Sequence, residues 1–197
     1  MSQYTLRPNA AGSGAGNAQH TAVGATPNYN CCDEVVANED TDYVESSQIS
    51  AFPVILTDRY NFEDLPTIAK ITSLQVFFRA RYTQNNGVAQ AASSLRTNGA
   101  NFTGTFVDIT VNFVNYNSVV YTNNPSTGIG WVKTGAAGVD SVQAHWASQN
   151  NGDGVNATIS RSTQTWIIAI TEEAISVPVL DLGIEIPSDY RVNVLSA

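Results

Sequence analysis

The sequence predicts an all-β protein: an antiparallel β-sandwich, arranged as a jelly roll, with an N-terminal arm and a C-terminal extension. Three observations carry this. Roughly eight to ten short stretches alternate apolar and polar residues with the period of two that a half-buried strand requires. Asn, Gly, Ser and Pro separate them, each favouring turns for its own local reason. No apolar pattern of helical period runs for long. The length of 197 residues and hydrophobic content of 43% allow one sizeable core and argue against two full domains.

Residues 1–30 are rich in Ala, Gly, Asn and Thr and poor in large apolar side chains, which predicts an extended, irregular arm. The sandwich domain is expected over 31–174. Its first strand runs from Asp40 to Ser46, and Pro53–Thr57 with Arg59–Phe62 adds extended chain interrupted at Asp58. From Leu74 the alternation is clear: Leu74, Val76, Phe78, Ala80 and Tyr82 share one face, and Gln75, Phe77, Arg79 and Arg81 the other. Asn85-Asn86-Gly87 ends that strand, because Asn-Gly tolerates the positive φ of a tight turn. Further strands are expected at 92–96, 106–114 and 118–122. Trp131 is a candidate core anchor, and a short helix or strand is expected around 139–145. A long strand spans 158–171, with Gln164, Trp166, Ile168 and Ile170 on one face and Thr165, Ile167 and Ala169 on the other. Residues 175–197 form the extension, alternating again at Leu180, Leu182, Ile184 and Ile186, and Pro178 and Pro187 restrict it to an edge or intermolecular strand.

Charge narrows the function. A net charge of −8 argues against nucleic acid as a partner, since that binding rests on Lys and Arg neutralising phosphates. Only Lys70 and Lys133 are lysines, and charged residues are 13% of the chain, so the surface is polar and largely neutral, as on a protein engaged with copies or partners. No stretch approaches the roughly 18 apolar residues of a membrane span. The first residues lack a basic segment followed by an apolar run, so the protein is expected to be made in a cytoplasm and not secreted by a signal peptide.

The candidate chemistry is sparse. Cys31-Cys32 are adjacent and offer at most a strained vicinal bridge, so they read as ordinary thiols. A zinc site lacks further ligands at suitable spacing beside His20 and His145, and no cofactor is expected. Asp33, Glu34, Glu39, Asp40 and Asp42 have oxygens suited to calcium, as does Asp153, but without the spacing of a calcium loop they read as polar turns. A Ser/His/Asp triad would need His20, placed in the arm, or His145, beside Trp146 where a packed ring is the commoner outcome. Glu172-Glu173 point to opposite faces of a strand and are poorly placed for glycoside hydrolysis. The chain is not expected to be an enzyme.

One resemblance adds to this reading. Leu6-Arg7-Pro8-Asn9-Ala10-Ala11-Gly12, Cys32-Asp33-Glu34-Val35 and Asn38-Glu39-Asp40-Thr41-Asp42-Tyr43-Val44 open a series of blocks. Asp58-Arg59-Tyr60, residues 71–81, Thr97-Asn98-Gly99, Asn124-Pro125-Ser126-Thr127-Gly128 with Trp131, and Thr163-Gln164-Thr165-Trp166 follow in order. Together they resemble tailed-phage and prophage virion proteins over about residues 5–171. The resemblance implies a β-sandwich on the outside of a virion, as capsid decoration or in the tail and fibre apparatus. A non-enzymatic capsid decoration (cement) protein is the first expectation, with the major capsid protein or other virion proteins and sister copies as partners. The alternative is a carbohydrate-recognising receptor-binding or tail-fibre module, motivated by the aromatic and Asn-rich loops of Tyr116–Trp131 and Asn150–Asp153. A glycan-degrading enzyme on the same fold is a third possibility. Phe77 beside Arg79 and Arg81 has the composition of an interface anchor, and Leu182 and Ile184 in the extension complete the expected attachment residues.

Overall fold

The computed structural model describes residues 1–14, 19–66 and 70–172. The strands among them are β1 Ser2–Leu6, β2 Pro8–Ala11, β3 Thr21–Val23, β4 Tyr43–Gln48, β5 Val54–Phe62, β6 Lys70–Gln84, β7 Val88–Thr97, β8 Ala100–Thr103, β9 Val107–Asp108, β10 Val114–Asn117, β11 Gln143–Asn151 and β12 Thr158–Glu172. One sheet has the order β10-β6-β12-β4-β3, with β1 also on β12; the other has β2-β5-β11-β7-β8, with β9 also on β7. All of these pairings are antiparallel. At the centre, β4-β12-β6-β10 faces β5-β11-β7-β8. The first of these strands pairs with the last and the second with the next to last, the nested order of a jelly roll.

Alternation explains which faces meet. Leu74, Val76, Phe78 and Ala80 of β6 and Thr165, Ile167 and Ala169 of β12 point inward and are buried. They divide the interior into two clusters: one around Leu74, Leu95, Trp131 and Ile167, the other around Tyr60, Phe78, Ala91 and Trp146. Trp131 is the core residue that its place in the sequence suggests.

Three expectations are corrected. The described part of residues 1–30 is not a detached arm: β1 lies along β12, β2 along β5 and β3 along β4. Composition measures what side chains can bury, whereas this segment is held chiefly by main-chain pairing, which glycine and alanine provide as well as larger residues. Gly24, at φ +96°, passes so close to the main chain of Thr41 that a Cβ would stand 2.3 Å from its carbonyl oxygen. The predicted strand at 106–114 shrinks to Val107–Asp108, because the chain turns at Thr110, whose hydroxyl donates to Asn112 O. β5 runs unbroken through Asp58, whose carboxylate finds buried partners. Residues 139–145 give both expected elements in succession, a 3-10 turn at Val139–Ser141 and the start of β11. Leu182, Ile184 and the C-terminal extension lie outside the described residues.

The acidic segment 33–42 folds over the outer face of the first sheet. Arg79 Nη2 pairs with Glu39 Oε1 at 2.6 Å, Arg81 pairs with Asp40, and Arg161 Nε reaches Glu45 Oε2 at 2.8 Å. Gln164 Nε2 donates to the carbonyl of Glu34 at 2.7 Å. Glu39 and Asp40 therefore pair with arginines at the surface, with side chains 45% and 61% exposed.

Candidate functional site

Along one side of the sandwich the two sheets diverge and leave a cleft of about 340 Å³. Such a volume lies at the lower end of the range of small-ligand pockets. β10, the edge strand of the first sheet, forms one wall, and β7 with the chain from Gly104 to Val107 forms the other. The opening arises where the chain passes along β7 from β8 to β9. Gly104 lets the chain pass close to β7 there: a Cβ would stand 2.8 Å from Ser93 Oγ and oblige that hydroxyl to turn aside.

Aromatic rings and polar groups meet in this cleft. Phe78 closes the floor, with its ring stacked on Tyr116 at 5.4 Å between centroids and 18° between planes. The Tyr116 hydroxyl accepts from Thr110 N at 3.1 Å, which fixes the ring. Tyr121 stands at the other end, bridged through its main chain to Leu74, and its carbonyl accepts from Trp131 Nε1 at 2.9 Å. Ser118 N donates to Val76 O, so the ladder bonds to β6 fall at Val114, Tyr116 and Ser118. The N–H and C=O groups of Asn115 and Asn117 consequently face away from β6, toward the cleft mouth. None of the described lining residues is charged. Apolar rings beside free amides and hydroxyls suit a small neutral ligand with one apolar face and a fringe of hydroxyls.

The predicted interface residues lie elsewhere. Phe77, Arg79 and Arg81 do share the outer face of the first sheet, but Arg79 and Arg81 are taken up by Glu39 and Asp40 and lie over the Phe113 ring at 5.8 and 4.8 Å. Phe77 is stacked on Trp166 at 5.2 Å and 7°, and Arg7 covers the Trp166 ring at 5.4 Å. The rings thus occupy one another's faces. Of the loops suggested for glycan recognition, Tyr116 and Tyr121 reach the cleft, whereas Asn150 and Asn151 pair with the start of β7 at Ala89 and Val88 and line no part of it. Asp153 accepts from Val155 N and Asn156 N and ties its own loop. Sequence reasoning does not find the contributions of Phe78, Ser93 and Gly104. The one available signal is Gly104 itself, a break between two short strand-like stretches.

The interior holds a constellation that the sequence argues against. His20 Nε2 lies 2.8 Å from Ser148 Oγ, and His20 Nδ1 lies 3.3 Å from Asp58 Oδ1, close but not aligned as a hydrogen bond. His20 is no arm residue: it is buried and stacked on Trp146 at 4.7 Å. Asp58 Oδ2 also accepts from Asn28 Nδ2 at 2.7 Å and from the Tyr60 hydroxyl at 3.2 Å. Burial raises the Asp58 pKa, but the His20 and Asn28 contacts outweigh it and hold the carboxyl well below the usual range. A Ser-His-Asp order is present, yet Ser148 is 0% exposed in the middle of a sheet. A serine without exposed surface cannot meet a substrate carbonyl. The cluster is a polar clamp that ties residues 20–28 to β5 and β11.

A second histidine sets a pH dependence. His145 Nε2 lies 2.9 Å from Ser162 Oγ, and burial pushes its pKa down to about 3 against the partial support of Asp58. The unfolded chain takes up this proton near pH 6.5 and the folded one only near 3, so stability present above pH 6.5 is lost as pH falls toward 3. The slope reaches about 1.4 kcal/mol per pH unit. Glu34, raised by burial to about 7, works in the opposite sense, but it is only half-buried and screened by solvent. Urea unfolding at pH 7 and pH 4.5 should show the loss, and His145→Gln should flatten it; an equal slope in the variant would refute the assignment. The two cysteines, both buried and free, have thiols pushed up by burial, Cys31 to about 12, and are unreactive.

No family model matches the sequence, and no curated protein does. Among solved structures, the chain is similar to a family 61 carbohydrate-binding module in complex with β-1,4-galactotriose, at 11% identity and a TM-score of 0.40, covering 86% of this chain and 88% of that one. It is also similar to the family 30 carbohydrate-binding module of a cellulosomal cellulase of Clostridium thermocellum, at 11% identity and a TM-score of 0.42, covering 85% and 97%. A third is the N-terminal cellulose-binding domain of Cellulomonas fimi β-1,4-glucanase C, at 13% identity and a TM-score of 0.33, covering 78% and 88%.

Proposed function

We propose that the protein is a carbohydrate-recognising module that binds without catalysis, through the cleft between β10 and β7. The observation that carries this is the meeting of Tyr116, backed by the buried Phe78 ring, and Tyr121 with the outward main chain of Asn115 and Asn117 in an uncharged cleft of about 340 Å³. A pyranose has an apolar face that lies on an aromatic ring and hydroxyls that both donate and accept, which matches such a lining. A glycan array followed by titration calorimetry tests the reading. Tyr121→Ala should weaken the best ligand about tenfold or more, equivalent to about 1.4 kcal/mol, with the fold retained. No glycan bound, or binding unchanged in that variant, would refute it.

A second reading, supported by the ordered sequence blocks that resemble virion proteins, puts the module on a phage particle. The expected contacts with the major capsid protein or other virion proteins belong to this reading, as does assembly with sister copies. Mass spectrometry of purified particles tests it, and absence of the chain from them would end it.

A further inference from the structure

We propose that the outer edge of β10, on which no described strand pairs, pairs with β10 of a second copy of this chain, joining two sandwiches through one continuous antiparallel sheet. An exposed strand edge is a template for another strand, and proteins usually blunt it with charge, proline or shortness. Among the other described strands with one open side, β2 begins with Pro8, β3 has three residues, β9 has two, and β8 lies beside Arg96, which bonds Asn101; β1, Ser2–Leu6, is uncharged like β10 but is followed directly by Arg7. β10 is short, at four residues, but carries neither a charged residue nor a proline. Between Asp108 and Lys133 the sequence contains no charged residue at all. Two copies each carrying −8 repel over most of their surfaces, and this edge is where they can approach without adding to that repulsion.

The edge is also uncharged, flanked by exposed valines, and self-complementary. Val107, Val114 and Val119 beside it are 44%, 41% and 71% exposed. Because the outward main-chain groups are those of Asn115 and Asn117, a two-fold pairing sets Asn115 of one copy opposite Asn117 of the other, with the two Tyr116 residues at the centre. Each such pair exchanges both of its main-chain hydrogen bonds. The contact is short, so it is weak, with a Kd of about 1–100 µM. The second strand lies about 4.8 Å from β10 and crosses the cleft mouth, so a ligand in the cleft competes with the second copy for the same main-chain groups. The pairing itself does not rest on the glycan reading.

Sedimentation of the full chain from about 1 to 300 µM tests the proposal. The wild type should pass from monomer to dimer across that range, and Asn117→Lys should weaken the association at least tenfold. Asn117→Pro provides a second variant, since it deletes the N–H that faces the partner while Tyr116 and Ser118 keep their bonds to β6. Thermal melts establish that each variant is folded, and if the proline variant is not, the lysine variant decides. A wild type that stays monomeric, or a dimer unaffected in the folded variants, would overturn the proposal.

Discussion

Asp58→Ala should remove about 3–5 kcal/mol of stability, a large part of the roughly 5–15 kcal/mol typical of a domain. The carboxylate is 0% exposed and gathers His20, Asn28 and Tyr60 around it. Alanine leaves those groups buried without their partner, and the cost of an unmet buried polar group exceeds the gain from making one bond in water. The loss should show first in residues 20–28, which the clamp ties to the sandwich, as faster proteolysis there than in β6 or β12. Trp146 fluorescence should change as well, because His20 stacks on it at 4.7 Å. Asp58→Asn preserves the shape and an acceptor, and should cost less. A loss below about 1 kcal/mol for the alanine variant would show that the cluster contributes little.

Phe78→Ala should cost about 3–5 kcal/mol and abolish ligand binding together. Phe78 is 1% exposed, stacks on Tyr116 and lies 6.2 Å from Trp146, so it belongs both to the core and to the cleft floor. Its removal opens a void that β6, held on both sides by β12 and β10, cannot close. Phe78→Leu keeps most of the volume and should retain the fold while losing the flat ring. If Phe78→Leu binds glycan as the wild type does, the ring is not part of the recognition surface. Urea midpoints and calorimetry on the same preparations separate the two effects.

The sandwich is legible in the sequence because β6 and β12 alternate cleanly, and burial on one face imposes that period. The inward set from Leu74 to Ala80 is legible for the same reason. The N-terminal strands are not, since β2 and β3 bury little side-chain surface and are defined by where their main chain pairs, which composition does not record. His20 is hidden with them. Of the candidate site, Tyr116 and Tyr121 are visible as aromatic residues in a polar stretch. Phe78 reads as core, which is half of its place, and the cleft depends on the separation of two sheets that no local pattern encodes. Arg79 and Arg81 fall on an outer face as their alternation predicts, but their partners Glu39 and Asp40 come from a segment some forty residues earlier.

The nested strand order has a consequence for synthesis. β12 is the last of the described strands to leave the ribosome, yet it lies between β6 and β4 and also carries β1. Until it arrives, the first sheet has no middle, and β1, β4 and β6 wait with their edges open. Contacts of such long sequence separation make folding slow and leave the nascent chain prone to wrong pairings. A chain cut short before Thr158 should therefore yield aggregate and not a smaller sandwich, and protection of β4 and β6 from proteolysis should appear only once β12 has emerged.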